Sequence, residues 1–262
     1  MNRISKAFIF VAAVAALAGC KQADKSAESA SAVQGAFSQV DAQTAAPAAL
    51  SGKLVDAHTY ELNGATYTCH DDFSPEAYSR DAKGEVTFTA FPATYEEFAH
   101  LYDNFLGKSA AGTAAMATMA MEMYYRDAEA GERCVDLLCN SGCAAGMKNI
   151  VAEKVRSWKK GDPYGQRYLP AAVLKGANAE NGYQPTMPYT IEMKASVNKH
   201  EKIQISDNGV CLFIYVMGDG WDSHQRQVQV FMPTGGDHYK MWNASSLYVQ
   251  CKNALKDFID LK

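Results

Sequence analysis

The chain has 262 residues, with 25 Lys and Arg against 29 Asp and Glu, for a formal charge of −4. Mild acidity and dispersed lysines lack the basic stripe that a nucleic-acid surface needs, so nucleic acid is excluded as a partner. The length supports one sizeable hydrophobic core.

The N-terminus carries the strongest local signal. Arg3 and Lys6 precede an apolar run, Ala7 to Ala16, of the length of a signal h-region. Crossing a bilayer takes about 20 apolar residues, so this run is too short to be a permanent span. It ends in Leu17-Ala18-Gly19-Cys20, which resembles the lipobox of bacterial lipoproteins. That resemblance implies removal of residues 1–19, acylation of Cys20 and attachment to a membrane through lipid. Each buried methylene contributes about 0.8 kcal/mol, so two or three acyl chains hold stably where one does not. Lys21 stands where aspartate is the usual inner-membrane retention signal, which favours an extracytoplasmic, outer-membrane location. Loss of Arg3 and Lys6 leaves a mature charge of −6.

Residues 20–50 are rich in Ala, Ser and Gln and bury too little to offset ordering entropy, so they read as the lipidated Cys20 and a flexible tether. A single globular domain is expected over 51–262. Thr59–Leu62 and Ala65–Cys69 alternate as strands about Asn63-Gly64, a dipeptide suited to a two-residue hairpin turn. Val86–Phe91 is a third strand, closed by Pro92. Thr94 and Glu97 form a capping box, after which Phe98, Leu101, Tyr102 and Phe105 fall on one helical face and Gly107 ends the helix. Thr113–Ala130 reads as an Ala- and Met-rich helix stopped by Gly131. A short segment at Glu132–Leu138 and a helix over Met147–Lys160 complete the helical block. Strands return at Tyr189–Met193, Val210–Met217, Gln225–Met232, His238–Trp242 and Leu247–Cys251, and Asn253–Leu261 reads as a final helix. This order predicts an α+β fold, an antiparallel sheet built from an N-terminal hairpin and a C-terminal meander, with the helices packed on one face.

Three short elements carry a second resemblance: Phe91-Pro92-Ala93-Thr94-Tyr95-Glu96-Glu97-Phe98, Asn181-Gly182-Tyr183-Gln184-Pro185 and Ser245-Ser246-Leu247. They are similar to an uncharacterised bacterial family, a domain of unknown function, over roughly residues 85 to 250. The resemblance implies a fold and a frequent extracytoplasmic setting, and it supplies no catalytic residue. In that family the turn before the penultimate strands resembles Gly-Gly-x-Asp-Ser-x-Arg. Here the corresponding run, Gly218 to Arg226, is longer.

With Cys20 assigned to lipid, Cys69, Cys134, Cys139, Cys143, Cys211 and Cys251 remain. An even number in an oxidising compartment favours disulfides, although sequence does not select the pairing. Cys134-x4-Cys139-x3-Cys143 matches neither zinc nor iron–sulfur spacing, and no histidine stands at ligand spacing, so no metal is assigned. Met116, Met119 and Met123 share one helical face, with Met121 pointing elsewhere. They read as core, and less readily as a thioether site for Cu(I).

Catalytic signatures fail one by one. Ser196-Val197-Asn198-Lys199 with Ser206-Asp207-Asn208 lacks the K-T-G strand and the spacing of penicillin-binding enzymes. His200-Glu201-Lys202-Ile203-Gln204 has Gln where a zincin needs its second histidine. Gly107-Lys108-Ser109 lacks the first glycine of a phosphate loop. No catalytic residue and no cofactor are assigned. Asp219, Trp221, Asp222, His224 and Arg226 gather at one hairpin tip, which is the best local candidate for contact with an envelope protein, a glycan or a small ligand, although Gly and Asp are also simply what tight turns use. A non-enzymatic, membrane-anchored binding domain is therefore expected. The rivals are an extracytoplasmic hydrolase using His58, His70 or His238 with a carboxylate, and a purely structural envelope lipoprotein.

Overall fold

A computed structural model describes residues 50–76, 78–196, 203–204 and 206–262. The expected signal peptide, Cys20, nearly all of the expected tether and most of the Ser196–Lys199 and His200–Gln204 motifs lie outside the described residues. The described residues all fall in one compact unit. No helix among the described residues is long and apolar enough to cross a membrane.

The architecture is α+β. Strands β1 (Gly52–Asp56), β2 (Thr59–Leu62), β3 (Ala65–Asp71) and β4 (Lys83–Phe88) pair in chain order. Next come helices α1 (Tyr95–Asn104), α2 (Ala110–Arg126), α3 (Ala128–Leu138) and α4 (Ser141–Lys159), and short 3-10 turns that include Leu169–Val173. The sheet resumes with β5 (Tyr189–Ala195), β6 (Ile203–Gln204), β7 (Gly209–Met217), β8 (Gln225–Pro233) and β9 (Lys240–Asn243). The order is β1-β2-β3-β4-β5-β7-β8-β9, every neighbour antiparallel, with β6 added against β7. The whole helical block is thus an insertion between two adjacent strands of one meander.

Local chemistry accounts for most of these elements. Asn63 and Gly64 take φ of 49° and 85°, the left-handed pair that a two-residue hairpin needs. Thr94 Oγ1 accepts from Glu97 N at 3.2 Å, while the Glu97 carboxylate reaches back to Ala93 N at 2.6 Å. The capping box is therefore made, shifted by one residue on its return arm. Helix α2 is buried along 16 of its 17 residues. It lies between β3, β4, β7, β8 and β9 on one side and α1, α3 and α4 on the other, as an apolar-all-round helix must. Met116, Met119, Met121 and Met123 all lie in this core.

Three expectations are corrected. The helix expected over Thr113–Ala130 breaks at Asp127, whose carboxylate caps α3 by accepting from Glu129 N and Ala130 N. Gly131 is not a stop. It lies inside α3, where a Cβ would meet Tyr124 Cα at 2.4 Å, so its bareness lets α2 and α3 close. Leu247–Cys251 is not a strand and Asn253–Leu261 is not a helix. Side chains from elsewhere take up their backbone groups, which removes the need for a ladder. Gln166 accepts from Cys251 N at 2.9 Å and donates to Cys251 O at 2.7 Å, Tyr183 donates to Lys252 O, and Arg167 pairs with Asp260 at 3.1 Å.

Among the described residues the core holds a buried ion pair, with Arg126 3.6 Å from the same carboxylate. Arg167 grips Glu122 with two hydrogen bonds of 2.7 Å, and both side chains are almost wholly enclosed. Burial pushes the Glu122 carboxyl above its usual range against the opposing pull of Arg167.

Candidate functional site

The β7–β8 connection closes on itself through Gly218 N to His224 O (3.2 Å) and His224 N to Trp221 O (3.0 Å). His224 adopts φ of +52°, and its Nδ1 meets Asp219 Oδ1 at 2.8 Å on the exposed side of the tip. Gly218 is required by a close approach. A Cβ there would lie 2.4 Å from Ala172 O, so only a bare backbone lets the tip rest on Leu169–Val173.

Trp221 corrects the expectation of an exposed aromatic anchor. It is 4% exposed, and its indole N–H donates to Gln250 O at 3.1 Å. The Arg226 guanidinium lies 4.3 Å from the Trp221 ring centroid. Asp222 pairs with Lys252 at 2.9 Å, and the hydrogen bond from Lys252 holds its carboxyl below the usual range. Lys252 N also donates to Gly220 O at 2.8 Å. The Trp221 indole and the Gly220 carbonyl therefore fasten the tip to the C-terminal segment, Asp222 adds an exposed ion pair, Arg226 lies against the Trp221 ring, and Asp219 and His224 are left facing outward.

Those two residues line a cavity of about 210 Å³ together with Val173, Leu174, Lys175, Glu192 and Met217. On its other wall Lys175 Nζ pairs with Glu192 Oε1 at 2.5 Å. Glu192 alternates with the buried Ile191 and Met193, so it leaves the sheet on the side opposite to them. Glu192 and Met217 also line a second hollow of about 500 Å³ that contains His70, Asp72, Lys83, Glu85 and Lys194. The two hollows share Glu192 and Met217 and make one groove along β5, bordered by charged side chains over an apolar floor. Lys175 and Glu192 escaped sequence reasoning. Glu192 had a signal, as a charged residue inside an apolar strand, whereas Lys175 reaches the groove through a loop with no motif.

Of the three histidines proposed for a hydrolase, His70 lines the groove and His58 and His238 do not. His58 and His70 rings lie 4.8 Å apart on the hairpin surface, and His238 bonds Asp237 and the Asp103 carbonyl. Neither hollow of the groove includes a serine, threonine or cysteine among its lining residues.

The expected disulfides are absent from this structure. Cys69, Cys134, Cys139, Cys143, Cys211 and Cys251 are all buried free thiols. They arise on different elements, and several meet other partners: Cys69 Sγ lies 3.2 Å from Ser109 Oγ, and Cys251 is held by Gln166. Cys139 and Cys143 do approach, with Sγ atoms 3.4 Å apart. Among the described residues no group of three or more His, Cys, Asp or Glu is arranged to hold a metal.

Fold and groove together define an α+β domain with an interrupted antiparallel meander and a mixed-charge groove along its middle strand. A family profile described as Domain of unknown function (DUF6935) matches residues 90–254. The chain belongs to that family. No curated protein and no solved structure matches it.

Proposed function

We propose that the chain is an exported, lipid-anchored binding protein that takes a small zwitterionic ligand, such as an amino acid or a peptide terminus, in the groove beside the β7–β8 tip. The lipobox-like Leu17-Ala18-Gly19-Cys20 supports the anchoring, and the Ala/Ser/Gln-rich stretch after it supplies reach. The observation that carries the binding reading is the pairing of walls in the 210 Å³ cavity: Lys175 with Glu192 on one side and His224 with Asp219 on the other, over Val173, Leu174 and Met217.

A ligand with one positive and one negative end can exchange with both pairs at once, while its carbon skeleton meets the apolar floor. Glycan binding is the weaker alternative, because stacking on a sugar needs an exposed ring and Trp221 faces inward. The fastened tip favours binding in a second way, since walls that are already ordered lose less entropy on ligand capture.

The test is a thermal-shift and calorimetric screen of the mature protein against free amino acids and di- and tripeptides. A ligand at 100 times its Kd adds about 2.7 kcal/mol to the folded state, which is a readily measured shift. Lys175→Met with Asp219→Asn should remove the shift and leave the unliganded melting temperature unchanged. Failure of the whole panel to shift the protein, or a shift that survives the double variant, refutes this assignment.

A further inference from the structure

The α3–α4 junction places two sulfurs together, and one of them, Cys143, lines a separate cleft. Cys139 ends α3 and is bridged to Met241 of β9, and Asn140 N donates to Met241 O at 3.0 Å. Asn140 then caps α4, its Oδ1 accepting from Cys143 N at 2.8 Å, while its Nδ2 donates to Trp242 O. Cys143 therefore occupies the first turn of a 19-residue helix, where the backbone N–H groups favour negative charge. Its Sγ lies 3.4 Å from Cys139 Sγ. Cys143 also lines a hollow of about 580 Å³ with Gly142, Gly146, Trp242, Ser245 and Tyr248. Gly142 and Gly146 leave the approach open: a Cβ at either would meet nothing nearer than 3.6 Å.

The two thiols are electrostatically unlike. Their shared Sγ–Sγ hydrogen bond holds Cys143 below its ordinary value against the opposing effect of burial, and the Ala244 N–H acts in the same direction as that bond. The same bond and burial push Cys139 up. Burial pushes the other four thiols up as well, Cys69 and Cys134 to about 12 and Cys211 and Cys251 to about 11. Reactive cysteines are low-pKa thiols at helix N-termini with access to a partner, and structural ones are buried and raised. Of the six described cysteines, Cys143 alone combines a helix N-terminus, an open cleft and a second sulfur in reach.

We propose that Cys143 and Cys139 form a thiol–disulfide exchange site, with Cys143 as attacking sulfur, Cys139 as resolving sulfur, and a low-molecular-weight or protein disulfide as the oxidising substrate. The Cys143 thiolate attacks one sulfur of the substrate disulfide, forming a mixed disulfide and releasing one substrate thiolate, which takes up the Cys143 proton from solvent. Cys139 then loses its proton and attacks Cys143 Sγ. The Cys139–Cys143 bond forms, the mixed disulfide breaks, and the second substrate thiol leaves with that proton. The protein dithiol is oxidised by two electrons and the substrate disulfide is reduced to two thiols. The 3.4 Å separation means that resolution needs a small closure of the junction and no unfolding of α3 or α4.

Full-length mature protein, reduced and freed of reductant, is exposed to oxidised glutathione at neutral pH and quenched with acid, and its peptides are mapped by mass spectrometry. The expected product joins the Cys139 and Cys143 peptides and leaves the other four thiols free. Cys139→Ser should instead accumulate a glutathione adduct on Cys143, and Cys143→Ser should give neither product. Under native conditions iodoacetamide should label Cys143 at least about tenfold faster than Cys134 or Cys211. Circular dichroism checks that both serine variants fold. If a serine variant does not fold, the labelling rates and the product of the unsubstituted protein decide alone. A disulfide between another pair, or Cys143 labelled no faster than Cys134 until denaturant is added, overturns the proposal. Lys175→Met with Asp219→Asn should leave this exchange unchanged, so failure of the ligand groove and failure of the dithiol site are separable.

Discussion

Replacing Trp221 with Ala tests whether the β7–β8 tip is fastened as described. The indole is 4% exposed, and truncating a buried Trp or Phe typically costs about 3–5 kcal/mol through lost transfer and cavity terms. The Gln250 carbonyl loses its 3.1 Å donor, worth about 1 kcal/mol, and Arg226 loses the ring beneath it, worth about 0.5–1 kcal/mol. The expected loss is therefore about 4.5–7 kcal/mol. For a domain of this size each kcal/mol shifts the melting temperature by about 2–4 °C, so a fall of roughly 9–28 °C follows. Urea and thermal unfolding followed by circular dichroism measure it. Trp221→Phe retains most of the buried area and should recover the larger part. Asp222→Ala, which removes an exposed partner of Lys252, should change stability little. A loss below about 1 kcal/mol for Trp221→Ala would mean that the tip is held by something other than the indole, and the rigidity argued for the groove would fall with it.

Arg167→Met leaves the buried Glu122 carboxyl with Arg126, 3.6 Å away, as its remaining cation and should cost about 3 kcal/mol by urea unfolding, whereas Arg167→Met with Glu122→Met should recover most of it. Asp71 accepts from Ala111 N at 3.0 Å and has its carboxyl raised by burial. The folded state keeps that proton to higher pH than the unfolded chain, so the stability from this group is complete below the unfolded carboxylate range, about pH 4, and is lost as pH rises through the folded value. Asp71→Asn should therefore gain on the unsubstituted protein between pH 4 and pH 7, and a gap in urea midpoint that is constant with pH would count against it. Cys20→Ser should abolish lipid attachment, so unchanged membrane fractionation and an unchanged N-terminal mass would end the anchoring proposal.

What the sequence made legible was local. Asn63-Gly64 fixes a hairpin through its own backbone angles, and Thr94 with Glu97 caps a helix through bonds that span four residues. The alternation of β7 and β8 survives because their ladder runs unbroken from Gly209↔Pro233 to Met217↔Gln225. Periodicity misled where partners are distant. Trp221 sits among turn residues, and nothing nearby in sequence shows that Gln250, 29 residues on, accepts its N–H. The Cys139–Cys143 approach was masked by reading Glu132–Leu138 and Met147–Lys160 as the helices. Once α4 starts at Ser141, Cys143 falls in its first turn. The groove was half visible: the tip contributed Asp219 and His224, but Lys175 and Glu192 come from other segments.

The insertion between β4 and β5 explains why the groove lies where it does. β4 and β5 are ladder neighbours, Lys83↔Lys194 through Phe88↔Tyr189, yet the whole helical block separates them in sequence. A meander that must admit such a block can fold it onto one sheet face and bring the chain back along the other strand's end. The returning segment does this through Leu169–Val173 and Lys175, whose backbone N donates to Thr190 O at 2.9 Å. The return path also needs a surface to rest on, and the β7–β8 tip supplies it, with Gly218 bare enough for Ala172 O to approach. The C-terminal segment then closes over Trp221 and is itself held by Gln166 and Arg167, two residues of that same return path. Three segments far apart in sequence thus brace one another at a single place. Among the polar side chains they do not spend on bracing, Lys175, Asp219 and His224 meet Glu192 of β5 in the groove. Loosening any one segment should therefore disturb the groove before it disturbs the sheet, and hydrogen exchange at Gly218 and Lys252 in Trp221→Ala should rise well ahead of exchange at Val86 or Ile191.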